Sequence, residues 1–323
     1  MKFLKHNDKI LITGGAGFIG SHLVDVLITN GYKVVVVDNL SNSNINNIKH
    51  NLNNPNFMFY NDDITNLNIL NKIFKEENPK IIFHLAANSD IAKSHYNPGI
   101  DFKDTLLTTY NILNAMKNNS IYKIVFASTS AVYGELKGKL SEDSGPLLPT
   151  SHYGASKLAS EGFISSFVEN YNIKAWIFRF PNVVGPRATH GVIYDFINKL
   201  KYMPENITVL GDGNQYKPYL YVSELIKAIL FVLNNTNEKI NLYNIGNTTR
   251  TYVKDIIKMT INEMNLKHIT NIIYTGGSKG WIGDVSEFEY CLDKIHNLGW
   301  RASMTSDEAV RKAIIENIGD YLV

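Results

Sequence analysis

The chain has 323 residues, 44% of them apolar, and a formal charge of +2 with both signs mixed along its length. That is apolar material for two domains or one large α/β unit, and it lacks the clustered positive charge of a nucleic-acid surface. No apolar run approaches the roughly 20 residues of a membrane span, and the lone cysteine, Cys291, cannot close an intrachain disulfide, so a soluble, cytoplasmic protein is expected.

The first apolar run, Lys9-Ile10-Leu11-Ile12, leads into Thr13-Gly14-Gly15-Ala16-Gly17-Phe18-Ile19-Gly20, and residues 21–27 follow with apolar side chains at helical spacing. This reads as strand, tight turn and helix. Gly15, Gly17 and Gly20 fit G-x-G-x-x-G: a turn without Cβ, close backbone approach to a pyrophosphate, and tight packing of helix on strand. The helix N-terminus then faces the phosphates. Glycine turns also serve plain packing, so the next strand matters. Lys33-Val34-Val35-Val36-Val37 ends in Asp38, at about the 20-residue offset where a carboxylate accepts both ribose hydroxyls. An acid there repels a 2′-phosphate and Asn39-Leu40-Ser41 supply no arginine, which favours NAD over NADP.

Residues 42–56 are rich in asparagine with little apolar periodicity, and read as a surface loop with a short helix. Further strands are expected at 57–60, 81–85 and 123–128, separated by helices such as 67–77 and 105–117. Strands alternating with helices predict a parallel, doubly wound α/β sheet. Tyr153-Gly154-Ala155-Ser156-Lys157 opens a helix over 153–171 and puts Tyr153 and Lys157 on one face, four residues apart. The ammonium is expected to draw the phenol down from about 10. An acid/base group beside a dinucleotide points to redox chemistry at a carbinol carbon. After Ala175-Trp176-Ile177-Phe178 the rhythm becomes less regular, and two glycine turns around a helix between Pro181 and Gly213 mark a smaller, substrate-facing region. The expected division is 1–180, with a returning segment at about 218–246, for the dinucleotide, and 181–217 with 247–323 for the substrate. No histidine pair has metal-ligand spacing and no G-x-S-x-G elbow occurs, so neither a metal nor a serine hydrolase is expected.

With these motifs in order, the chain resembles the extended short-chain dehydrogenase/reductase family, in particular nucleotide-sugar epimerases of the UDP-glucose 4-epimerase type. The similarity runs nearly end to end, through 13–20, Asp38-Asn39, Asp62-Asp63-Ile64, His84-Leu85-Ala86-Ala87, 128–134, 153–157, 179–187 and 211–222. It implies a Rossmann-type doubly wound parallel sheet with a smaller mixed α/β C-terminal substrate-binding region, NAD as cofactor, and a homodimer formed through the helices at 105–117 and 153–171. Asp63, beside Ile64, would bind adenine, and Leu85, Ala86 and Ala87 would line the cofactor. Gly14, Gly17, Phe18, Ile19, Gly20, Asp38, Asn39, Ser128, Tyr153, Lys157 and Phe180 complete the cofactor set that the resemblance implies. Thr129 would carry the second catalytic hydroxyl, and Lys157 would also bond the nicotinamide ribose. The substrate would be a nucleoside-diphosphate sugar, UDP-linked by default with GDP as the alternative, held by Thr129, Ser130, Tyr153, Asn182, Val192, Ile193 and Lys217. Lys217 stands where the family has arginine, keeping the charge without the bidentate fork. Trp281 also replaces an arginine, with Lys279 or Arg301 as substitutes, and Asn88 and Thr105 replace glutamine and asparagine.

The resemblance also separates reactions. Sugar 4,6-dehydratases of this type carry Thr-Asp-Glu before Val-Tyr-Gly, because elimination across C5 and C6 needs an acid and a base besides the tyrosine; here the positions are Thr129-Ser130-Ala131. The expectation is therefore C4 epimerisation through a transient 4-keto sugar, Tyr153 taking the hydroxyl proton as hydride passes to the nicotinamide. A 4-dehydrogenase or 4,6-dehydratase releasing a keto sugar, and a non-catalytic dinucleotide sensor, remain the alternatives.

Overall fold

The computed structural model describes residues 1, 4, 5, 7–88, 91–277 and 289–319. The chain divides into two compact units: Met1–Gly134, Pro146–Arg179 and Ile229–Tyr243 form the first, and Glu135–Gly145, Phe180–Ala228 and Asn244–Val323 the second. The excursion 135–145 thus groups with the second unit, and the segment that returns to the first is shorter than 218–246.

The first unit is built on seven strands: β1 (Lys9–Thr13), β2 (Lys33–Val37), β3 (Phe57–Tyr60), β4 (Ile81–His84), β5 (Lys123–Thr129), β6 (Lys174–Phe180) and β7 (Ile240–Asn244). Their order across the sheet is β7-β6-β5-β4-β1-β2-β3, and β1 pairs in parallel with both β2 and β4. Sequence order reverses between β1 and β4, the topological switch point where α/β sheets bind ligands at the strands' carboxyl ends. Helices α1 (Phe18–Thr29), α2 (Leu67–Glu77), α3 (Thr108–Asn118) and α4 (His152–Tyr171) belong to the crossovers. One face of the sheet buries Leu11, Val35, Ile82, Ile124 and Phe126 with Leu70, Phe74, Ile112, Met116 and Ile164. The alternate positions Ile10, Ile12, Val34 and Val36 are buried too, and α1 packs on β1 and β2. Strands buried on both faces read as continuous apolar runs, which is why β1 and β2 are visible in the sequence.

Four elements depart from expectation. β4 stops at His84, so Leu85 leaves the sheet, while β5 runs on to Thr129. The helix expected from residue 105 starts earlier and irregularly: Gly99–Asp101 is one short helical turn, Phe102–Leu107 is a π-helix, and regular α-helix begins at Thr108. Residues 42–56 hold two short 3₁₀ turns, Ile45–Asn47 and Lys49–Asn51.

The second unit contains α5 (Val192–Tyr202), the first half of α6 (Val222–Asn235), α7 (Val253–Glu263) and α8 (Ser306–Gly319) with four two-stranded pairings. Ile193, Phe196, Ile197 and Leu200 of α5 and Ile256, Ile257 and Ile261 of α7 are buried, and these two helices pack on each other. Among the described residues, no helix is long and apolar enough to cross a membrane, and no three His, Cys, Asp or Glu residues form a metal-holding group.

Candidate active site

The glycine turn is fixed by close approach. Gly14 has φ of 71°, and a Cβ there would lie 2.8 Å from the Ala86 amide nitrogen, so the turn presses on the chain just beyond β4. A Cβ on Gly20 would sit 2.1 Å from the Gly14 carbonyl, which excludes any other residue at the start of α1. Asp38, buried at the end of β2, reaches back to this turn. Its Oδ2 accepts the Ala16 amide at 2.9 Å and its Oδ1 accepts from the Leu40 amide and Ser43 hydroxyl, at 2.9 and 2.7 Å. Asn47 donates to the Ala16 carbonyl at 2.9 Å. The asparagine-rich segment is therefore a buttress for the turn as well as a surface loop; nothing in its composition signals that.

Asn39 and Asp63 meet at 3.2 Å beside Asp38, and Asp63 also accepts the Thr65 amide. Burial alone would raise the Asp63 carboxyl, but these donors outweigh it and hold the group below its usual range. Beyond β4, Leu85, Ala86 and Ala87 lie half-buried, with Ala86 donating to the Thr13 hydroxyl. His84 behind them is wholly buried between the hydroxyls of Thr13 and Thr109, at 2.7 and 3.0 Å. Burial, then the Lys157 charge, push it down to about 3, so it is neutral.

Ser151 caps α4 through the Gly154 amide and starts the helix that carries Tyr153 and Lys157. Gly154 is needed there, because a Cβ would lie 2.6 Å from the Ala131 carbonyl. That contact sets the first turn of α4 against the 3₁₀ turn Ser130–Tyr133 and brings Thr129 to Tyr153, whose side chains hydrogen-bond. Thr129 Oγ1 also accepts the Ala131 amide at 3.1 Å. Lys157 is buried, its Nζ donating to the Ala127 carbonyl at 2.7 Å and lying 4.7 Å from the Phe126 ring centre and 6.0 Å from that of Tyr153.

The charge states differ from expectation. The Tyr153 phenol is pushed up to about 12, first by burial and also by the Asp101 charge, against the Thr129 bond. Burial likewise pushes Lys157 down to about 7, opposed by Glu161 and Asp101. The lysine's charge alone would draw the phenol down, but the loss of water around both groups dominates.

Ser128 bonds one turn further along α4. Its hydroxyl donates to Glu161, which holds Arg179 by two bonds, Nη2 to Oε2 at 2.6 Å and Nε to Oε1 at 3.0 Å. Arg179 donates in turn to the Tyr133 hydroxyl at 3.1 Å. Glu161 and Asp101 were not singled out in the sequence: neither lies in a motif whose chemistry requires a carboxylate. Asn88 and Thr105, the two replaced positions, meet each other, the Asn88 amide donating to Thr105 Oγ1 at 3.2 Å.

In the second unit, Phe180 is half-buried at the end of β6 and Asn182 is exposed, its carbonyl accepting the Leu220 amide at 3.0 Å. Val192 and Ile193 begin α5, whose N-terminus has no side-chain cap. The Ile193 side chain is buried in the unit's core, so of the two contact types expected there, backbone amides and apolar side chains, it offers only its backbone. Lys217 lies opposite Thr251 in a two-stranded antiparallel pair whose other members, Tyr216 and Tyr252, have ring centres 5.4 Å apart. Arg250 stacks on Tyr216 at 4.2 Å, and Arg301 bonds His296. Lys279 and Trp281 lie outside the described residues.

What the first unit offers is a dinucleotide cradle with a half-buried phenol and a buried amine one helical turn apart: the equipment of a nicotinamide-dependent enzyme. Residues 10–246 match the NAD dependent epimerase/dehydratase family, and the chain belongs to that family. It is 37% identical over 311 residues, 94% of this chain and 97% of the relative, to a Methanocaldococcus jannaschii protein that carries the provisional name UDP-glucose 4-epimerase. It is 29% identical to the Mus musculus dTDP-D-glucose 4,6-dehydratase over 95% of this chain and 87% of that one. Among solved structures, a UDP-galactose 4-epimerase superposes with TM-score 0.85 at 34% identity, and the Thermotoga maritima UDP-glucose 4-epimerase with UDP-glucose with TM-score 0.87 at 31%; each comparison covers 98% of this chain and 100% of the other. The Thermus thermophilus UDP-glucose 4-epimerase, at 28% identity over 96% of this chain and 99% of that one, with TM-score 0.85, is in complex with NAD. NAD is the cofactor of this family, and the glycine turn that no Cβ fits, with Asp38 beside it, suits that dinucleotide.

Proposed function

We propose that the protein is a nucleoside-diphosphate-sugar 4-epimerase, with a UDP-linked sugar as first substrate and a GDP-linked one as the alternative. The reading rests on one observation above all: the 3₁₀ turn beside Tyr153 offers Thr129, Ser130 and Ala131, hydroxyls and a methyl group where a 4,6-dehydratase needs an acid and a base. Asp101, the carboxylate whose charge acts on Tyr153, has no exposed surface and cannot replace them at a substrate carbon.

Tyr153 takes the proton of the sugar's 4-hydroxyl and returns it to the epimer, while Thr129 orients the phenol through their hydrogen bond. Lys157, fixed through Ala127, keeps positive charge beside the phenol and favours its ionised form. Bound NAD supplies the hydride acceptor for C4 and then the donor to its other face. Gly14, Gly17, Phe18, Ile19 and Gly20 would take the pyrophosphate, Asp38 the ribose, and Asn39, Asp63 and Ile64 the adenine. In the second unit, Asn182, the backbone of Val192 and Ile193, and Lys217 would hold the nucleotide while the sugar turns over.

Proton NMR in deuterated water with a panel of UDP- and GDP-linked hexoses, without added reductant, tests this. A C4 epimer bearing no deuterium at C4, abolished by Tyr153→Phe, is the expected result. A persistent 4-keto product, above all one with deuterium at C5, would replace epimerisation by dehydrogenation or dehydration. Turnover that survives Tyr153→Phe would remove the tyrosine from the reaction.

A further inference from the structure

Asp101 closes the short turn Gly99–Asp101 and directly precedes the π-helix, in the segment that packs on α4. It is 0% exposed. Its Oδ1 accepts the Asn88 side-chain amide at 2.9 Å, while its Oδ2 has no hydrogen-bond partner among the described residues. A buried acceptor left without a donor costs about 1–3 kcal/mol, and more when charged. Were Asp101 only filling space, an apolar side chain would do so without that cost. A carboxylate retained in this condition, next to a π-helical turn of the kind often found at functional sites, needs another reason.

We infer that Asp101 is a positioning residue for the Tyr153–Lys157 pair, a buried negative charge that keeps Lys157 in its ammonium form beside the phenol. The inference rests on the acid/base reading of Tyr153. Without exposed surface, Asp101 touches no ligand and acts only through its field, which raises both groups. Glu161, on α4 itself and paired with Arg179 on β6, raises Lys157 more than Asp101 does, but only Asp101 acts on both members of the pair. His84 on β4 is uncharged, and Thr129 on β5 contributes a hydrogen bond that works the other way on Tyr153. Lys103, from the π-helix, acts on Asp63 and Asp104, and neither it nor Asp104 is among the causes that shift Tyr153 or Lys157.

The test is Asp101→Asn, which keeps the shape and the acceptor for Asn88 while removing the charge. Lysine labelled with ¹³C at Cε gives each amine its own titration, and the Lys157 resonance is identified by its loss in Lys157→Met. The wild-type midpoint should lie near 7, and that of Asp101→Asn lower by about one pH unit, the usual effect of a close charge. Asp101→Glu should stay near the wild type. Both limbs of the pH–turnover profile should move to lower pH with the lysine. A folded Asp101→Asn protein with an unmoved Lys157 midpoint overturns the inference, whatever its melting temperature or activity. If that variant does not fold, Asp101→Ser removes the same charge and is judged by the same midpoint. The NMR readout needs no sugar substrate, so a wrong assignment of the reaction would not disturb it.

Discussion

Replacing Glu161 by leucine would strip Arg179 of its partner inside the protein. The two side chains are 4% and 8% exposed and joined by two bonds, so the guanidinium would remain buried without its carboxylate. Breaking a buried pair from one side costs about 3–5 kcal/mol, and the Ser128 hydroxyl, which also loses its acceptor, adds about 1 kcal/mol. A loss of roughly 4–6 kcal/mol takes a large share of the 5–15 kcal/mol that stabilises a typical fold. At about 2–4 °C per kcal/mol for a unit of 150–250 residues, melting should fall by roughly 10–20 °C. Urea unfolding of Glu161→Leu, Arg179→Met and the double variant supplies the cycle: with both charges gone, the double variant should recover most of the loss. A single variant costing under about 1 kcal/mol, or a double variant whose loss is the plain sum of the two, would refute the reasoning.

His84 predicts a pH effect on stability. Its folded form is neutral down to about 3, while the unfolded histidine protonates near 6.5. The unfolded state therefore binds more protons between these values, and stability falls as pH drops from about 6.5 towards about 3. By pH 5 the loss from this residue should be about 2 kcal/mol, at about 1.4 kcal/mol per pH unit; unfolding at pH 7 and pH 5 in wild type and His84→Gln should show the difference shrink by that amount, and an unchanged difference would count against a buried neutral imidazole. Gly20→Ala brings a methyl to 2.1 Å from the Gly14 carbonyl, so the purified variant should retain little NAD by calorimetry; wild-type affinity would mean that the turn does not cradle the pyrophosphate.

Much of the fold is legible in the sequence because β1 and β2 are buried on both faces and carry unbroken apolar runs ahead of Gly14 and Asp38. The pairing of Tyr153 with Lys157 follows from helical spacing, and the glycine turn from its own pattern. What stays hidden depends on contacts far apart along the chain. Residues 102–107 have nothing that separates a π-helix from an α-helix, since the choice is made by packing on α4. Glu161 and Arg179 are 18 residues apart on a helix and a strand, with no local signal that they meet. Ser43 and Asn47 look like ordinary loop residues until Asp38 and Ala16 are beside them. The charge state of Tyr153 was misjudged for the same reason: a neighbour four residues away is visible in a sequence, whereas the surrounding protein that strips water from both groups is not.

A π-helix accommodates one residue more than α-helical winding over the same span. Rewinding Phe102–Leu107 as α-helix with no residue removed would turn Asp101 by about 100° around the axis relative to Thr108 and Thr109. Asn88 would lose the carboxylate it anchors and Thr105 its place beside Asn88 in a single step. A chain of the same fold that keeps every residue here but winds them as α-helix would therefore have an acid/base pair with no buried carboxylate behind it, and with its working pH range set elsewhere.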